Sequence, residues 1–194
     1  MPYIKKICAA LILLSAVLLN VGLSWAFEDG FGSAKKIYGE HLSVYCAPES
    51  DIAGLDRRLN IRTSDKVLAR KSAKMADSPE KELSDSLDTL FLRVSDIMDM
   101  HLYSLQVNIK LCRDDAQLNS IYNNLFKASL GGRRSFYVFS FNTIYISIEG
   151  FSKEIIGHEM AHAIICHYFA VPPPVKIQEV LAMYVEHNLR RAGQ

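Results

Sequence analysis

The chain has 194 residues, is 49% apolar and carries 22 basic and 21 acidic side chains. These values are those of one ordinary globular domain. A formal net charge of +1, without a basic stripe interleaved with aromatic residues, argues against a nucleic-acid-binding protein.

The N-terminal residues have the pattern of a secretory signal peptide. Two lysines precede a mainly apolar run over 7–23, and the small residues of S-W-A at 24–26 suit a cleavage site. We therefore expect a signal peptide over 1–26 and an exported domain over 27–194, either periplasmic or secreted. An uncleaved membrane anchor is the alternative, although the run is short for a stable span.

The first half of the mature chain predicts one strand and one long helix. Residues 27–39 contain three glycines and are expected to be a loose N-terminus, and residues 60–78 are polar and basic, as in a solvated loop or helix face. Ser78-Pro79-Glu80 is a helix start, with an N-cap serine and a proline in the first turn. The elements expected here are a strand over 41–46, a short helix ending near 59 and a long helix from 79 to about 101.

The second half predicts three more strands and three helices. Apolar alternation marks the strands, and apolar residues at helical spacing mark the helices. Prolines at 172–174 separate the last two helices. The expected elements are a strand over 105–112, a helix over 114–130, antiparallel strands over 135–140 and 143–148, and helices over 153–169 and 175–191. Together these predict an α+β fold with a mixed or antiparallel sheet of about four strands packed on helices.

Three cysteines remain after residue 26. Cys46 and Cys112 each end a predicted strand and are the candidate pair for a disulfide, which an exported protein can form. Cys166 lies on the predicted helix over 153–169, and we expect it to be a small buried apolar residue.

The most informative stretch is His158-Glu159-Met160-Ala161-His162, which reads H-E-x-x-H. Residues four apart share one face of a helix, so both imidazoles can reach one Zn²⁺ at about 2.0–2.1 Å. Glu159 is badly angled to be a ligand but lies close to the metal. This arrangement is typical of zinc hydrolases in which the glutamate is the general base for a zinc-activated water.

A catalytic zinc usually has three protein ligands. The metzincin spacing fails because Tyr168 stands where that class has its third histidine, and His167 lies off the metal face of the helix. Glu179 on the next helix is the best third ligand, because two antiparallel helices joined by the proline turn would bring it beside the imidazoles. Glu186 is the reserve, two turns further along.

The motif, followed by P-P-P-V-K-I-Q-E-V-L-A-M-Y-V-E, resembles the gluzincin metallopeptidases and, within them, the peptidase MA-like domain. The resemblance implies a small zincin-like fold, with His158, His162 and Glu179 as zinc ligands and Glu159 as general base. Two positions depart from the family pattern. Val180 stands where a glycine usually follows the ligand glutamate, and Met183 where some members carry an acid that orients a motif histidine.

The function predicted on these grounds is an exported zinc-dependent metallopeptidase acting on a peptide or protein substrate, with membrane contact only if residues 1–26 are retained. The strand over 143–148 could be a sheet edge that binds an extended peptide. The alternative is a non-catalytic exported metal-binding or scaffold module. A donor for the oxyanion is left open among Tyr184, His187 and Tyr168.

Overall fold

The computed structural model describes residues 29–62, 64–66 and 77–191. Within these ranges the chain is an α+β domain built on one five-stranded sheet. The signal peptide predicted over 1–26 lies outside the described residues. None of the described helices combines the length and the apolar character needed to cross a lipid bilayer.

The sheet is mixed, which is one of the two predicted alternatives, and it has five strands instead of about four. In order across the sheet they are β1-β2-β3-β5-β4, with antiparallel pairs at the two edges and parallel pairs on either side of β3. The strands are β1 Lys35–Tyr38, β2 Leu42–Cys46, β3 Val107–Cys112, β4 Ser135–Val138 and β5 Thr143–Ser147. The predicted antiparallel pairing of the last two is confirmed.

Strand β1 lies in the segment expected to be a loose N-terminus, and that expectation was wrong. Its hydrogen bonds to β2 form after a tight connection in which the amide of Gly39 donates to the carbonyl of Leu42 at 2.7 Å. Only Ile37 of the strand is buried, opposite Val44. A four-residue strand with one buried side chain has no alternation that sequence inspection can recognise.

The five helices that are described along their whole length lie close to the predicted positions. They are α1 Ile52–Leu59, α2 Pro79–Met98, α3 Asp115–Phe126, α4 Lys153–Tyr168 and α5 Val175–Arg191. The hydroxyl of Ser78 caps α2 by accepting from the amide of Lys81, and that of Ser152 caps α4 by accepting from the amide of Ile155. Helix α3 ends four residues earlier than the predicted Leu130, because Lys127 adopts a left-handed backbone conformation with φ 54°.

The main core lies on one face of the sheet, under α1, α2, α4 and α5. A smaller aromatic and aliphatic cluster fills the other face, beneath α3. Helix α4 is buried along most of its length, and each fully buried aliphatic side chain of this kind stabilises the fold by about 1.5–3 kcal/mol. The helix that carries the H-E-x-x-H motif is therefore fixed firmly against the sheet.

The predicted disulfide is not formed. Cys46 and Cys112 are both free and buried. The register places Tyr45 opposite Lys110, so Cys46 falls opposite Leu111, and Cys112 points to the other face of the sheet. Cys46 accordingly belongs to the main core and Cys112 to the smaller cluster, whereas Cys166 is buried as expected.

The polar segment over 60–78 is not simply a solvated face. Lys66 is buried, and its ammonium group lies 3.1 Å from the carboxylate of Asp56 and 3.0 Å from that of Glu82. A lysine is buried only when its charge is paired, which this arrangement provides. Residues 63 and 67–76 of the segment lie outside the described ranges.

Candidate metal centre

Helices α4 and α5 form the site as an antiparallel pair. The turn between them contains Pro172, Pro173 and Pro174, so α4 cannot continue and α5 begins directly after the third proline. At the far end of the pair, Gly157 faces Leu189 so closely that an added Cβ would lie 2.2 Å from its Cδ1. The absence of a side chain at 157 is what lets α5 approach the motif.

The three residues predicted as ligands converge. The Nε2 atoms of His158 and His162 are 3.3 Å apart. Oε2 of Glu179 lies 3.6 Å from Nε2 of His158, and Oε1 lies 3.6 Å from Nε2 of His162. All three ligand atoms fall within 4.8 Å of one another. Donor atoms that bind a tetrahedral zinc at about 2.0–2.1 Å are about 3.3–3.4 Å apart. The donor set therefore fits a single zinc ion.

Gln178 orients His162. Its amide nitrogen donates to the carbonyl of Pro173 at 2.8 Å, which turns its oxygen towards Nδ1 of His162 at 3.4 Å. An amide oxygen only accepts, so Nδ1 carries the proton and Nε2 presents its lone pair to the cluster. Sequence analysis missed this role, although the position of Gln178 next to Glu179 places it on the right turn of the helix.

Glu186 lies beside Nδ1 of His158, as Gln178 lies beside Nδ1 of His162. The buried Nδ1 of His158 makes no hydrogen bond to the described chain, and Oε2 of Glu186 lies 3.4 Å from it, at ion-pair distance. Glu186 was the reserve ligand, but it approaches the ring nitrogen that faces away from the cluster. Met183, by contrast, is 61% exposed.

Glu159 is buried at the wall of the same site, with only 6% of the residue exposed. Burial raises the pKa of its carboxyl group, while the hydrogen bond from Ser135 and the charge of His158 lower it in part. The Ser135 hydroxyl donates to Oε1 at 2.7 Å. No sequence pattern identifies Ser135, because the contact joins residues on different elements, 24 positions apart.

His162 is suited to bind a cation. Burial lowers the pKa of His162, and the neighbouring His158 lowers it further. A neutral imidazole is the form that coordinates a metal, so the surroundings of His162 favour the binding form.

A cleft of about 620 Å³ opens in front of these residues. Its lining includes the three residues of the cluster and Glu159, together with Ser135, Phe136 and Tyr137 of β4. Among the strands of the described ranges, β4 pairs only with β5 and is the edge of the sheet, whereas β5 lies between β3 and β4. The suggestion that the strand over 143–148 is the edge was therefore wrong, and its neighbour β4 has that place.

The residues considered as oxyanion donors lie elsewhere. Tyr184 is 54% exposed on the outer side of α5, and neither it nor His187 nor Tyr168 lines the cleft. His167 also points away from the cluster and lies 3.2 Å from the hydroxyl of Tyr137. Arg133 does line the cleft, and its charge contributes to lowering the pKa of Glu159.

No protein-family model matches this chain, and neither curated proteins nor solved structures provide a match. The case for its function therefore depends on the residues and the geometry of this site.

Proposed function

We propose that the chain is an exported zinc-dependent metallopeptidase of the gluzincin type, with a zincin-like domain. One observation supports this most strongly. Two imidazoles from one helix and a carboxylate from the next converge within 4.8 Å, and a buried carboxylate lies beside them in an open cleft.

Zinc is the metal that this donor set suits best. His158, His162 and Glu179 would hold it with two nitrogens and one oxygen, the combination found in catalytic sites that keep a fourth position open. A bound Zn²⁺ polarises a carbonyl group and lowers the pKa of water. The residues behind the ligands, Gln178 and Glu186, fix the two rings and raise the affinity of the site.

Glu159 is the proton carrier of the proposed reaction. Ser135 occupies one of its carboxylate oxygens, so the other oxygen is the one that accepts the proton of a water in the cleft. Burial raises the pKa of the carboxyl group, which helps it retain that proton until the amine leaving group takes it.

The substrate we propose is an extended peptide bound along β4. No other strand of the described residues pairs with the outer edge of β4, and three residues of β4 line the cleft that holds Glu159. An added strand makes regular main-chain hydrogen bonds and places a peptide bond beside the metal cluster.

The competing proposal is a metal-binding module without activity. Such a protein would gain nothing from Glu159, because burying a carboxylate without a paired cation costs free energy of folding. The presence of this group at 6% exposure, held by Ser135 rather than by a cation, favours the enzyme.

The test compares the parent protein with Glu159→Gln. We expect one zinc per chain by metal analysis in both proteins, and a rate of casein or peptide-library hydrolysis that falls about 10²–10⁴-fold in the variant. Glu154→Gln is the matched control, since Glu154 lies on the same helix outside the cleft lining. Hydrolysis that survives in Glu159→Gln, or a parent protein that binds no zinc, would contradict the proposal.

A further inference from the structure

The outer surface of α5 and the turn before it is unusually apolar. Eight of the thirteen large apolar side chains that the described residues expose lie between 168 and 184. Val171 in the turn is 81% exposed. A soluble surface rarely groups so many apolar side chains unless something covers them.

Three of these side chains share one face of α5. Ile177, Val180 and Tyr184 are spaced three and four residues apart, so they make a stripe along the outside of α5. The inner side of the helix is occupied separately, by Ala182, Val185 and Leu189 in the main core. The stripe therefore takes no part in packing α5 against the main core.

The charges on this surface are of one sign. Lys176, Arg190 and Arg191 are all exposed on α5. The only carboxylates between 168 and 191 are Glu179 and Glu186, and both lie against the motif histidines. Arg190 is paired with Glu186, which leaves Lys176 and Arg191 as the cations beside the apolar stripe.

The apolar surface also reaches the mouth of the cleft. Pro172 of the turn and Val175, the first residue of α5, line the cleft, and Val175 is 69% exposed next to the stripe. On the opposite side, Phe139 lines the cleft, is half exposed and lies 5.2 Å from the ring of His167 at the end of α4.

We infer that this surface binds peripherally to a bilayer containing anionic phospholipid. A helix face with exposed apolar side chains and adjacent cations, without free carboxylates, is the combination that inserts at a headgroup boundary and is attracted by negative lipid. The cleft would then open next to the bilayer, so that peptide segments close to a membrane are the ones it reaches.

The test uses the full chain as recovered from exporting cells, with its N-terminus established by mass spectrometry. Co-sedimentation is measured with vesicles of phosphatidylglycerol and phosphatidylcholine in equal parts, and with vesicles of phosphatidylcholine alone. We expect the parent protein to prefer the anionic vesicles, and we expect the preference to shrink at high salt.

Two variants examine the surface. Val171→Asp/Met183→Asp should weaken vesicle binding strongly, and Lys176→Glu/Arg191→Glu should weaken it about tenfold to a hundredfold, since each cation near an anionic surface contributes about tenfold or less. Tyr103→Asp is the matched control, because Tyr103 is 74% exposed at a site outside this surface. Every variant carries the parent N-terminus, so any contribution of that segment is the same in all comparisons.

The inference does not rest on catalysis, and Glu159→Gln should bind vesicles as the parent does. Circular dichroism and zinc content verify that each variant is folded. Equal vesicle binding by the parent and both surface variants, or no binding by the parent, would overturn the inference. So would a parent protein that dimerises by ultracentrifugation while the Val171→Asp/Met183→Asp variant stays monomeric, because a second copy would then cover the surface.

Discussion

The two helices of the proposed metal site differ sharply in how many of their residues are buried. Nine of the sixteen residues of α4 are buried, whereas only three of the seventeen residues of α5 are buried. Helix α4 supplies both imidazoles and the buried carboxylate, and α5 supplies the third ligand from the surface of the domain. The difference indicates that α4 fixes the geometry, while α5 is held by fewer core side chains, Ala182, Val185 and Leu189, together with its polar contacts to the histidines.

The largest expected effect comes from a substitution on α4, the more deeply buried of the two helices. His162→Ala removes a proposed zinc ligand that the packing of α4 holds in place, and zinc affinity should fall by more than the roughly hundredfold that contacts to the outer side of the ligands can account for. Competition with a chelating dye measures the affinity. His167→Ala is the control, because His167 lies on the same helix and is exposed. An equal loss in both variants would show that the effect is general to α4.

The polar contacts from α5 should matter next. Glu186→Gln removes the charge beside Nδ1 of His158, and we expect about a 10–100-fold loss of zinc affinity in the same competition assay. Arg190→Gln removes the other partner of Glu186 and serves as the control, since it leaves the carboxylate beside the ring. If the Glu186 variant bound zinc as tightly as the parent, α5 would contribute through Glu179 and Gln178 but not through Glu186.

The close contact between Gly157 of α4 and Leu189 of α5 can be tested without changing the polar residues of the site. Gly157→Ala places a methyl group against buried Leu189, and overpacking of this kind costs about 1–3 kcal/mol, partly offset by the higher helix propensity of alanine. Chemical denaturation measures the loss. In a Leu189→Ala background the clash disappears, so the same change should become neutral or stabilising. A loss that persists there would exclude the contact as its cause.

The sequence predicted the local features of the site but not the contacts between elements that are distant in the chain. The motif, the serine cap, the proline turn and the last helix are local patterns, and they place His158, His162 and Glu179 near one another in the structure. The contacts of Ser135 and Glu186 could not be read in this way, because they depend on which strand is the sheet edge and on the rotation of α5. Strand β1 was missed for a related reason, since its pairing with β2 is all that defines it.

The smallest expected effect concerns Glu159, the proposed base. Its hydrogen bond comes from Ser135 in the sheet and not from a residue of α5. Ser135→Ala removes a hydrogen bond to a carboxylate, worth about 1.5 kcal/mol, so kcat should fall about tenfold. Zinc affinity should stay unchanged, because Ser135 touches no ligand in the hydrogen bonds described. Ser140→Ala, just beyond β4 and exposed, is the control. If zinc affinity fell in step with kcat, the serine would act through the fold of the whole site. A loss confined to kcat would mean that the base and the metal are supported independently, one by β4 and the other by the two helices.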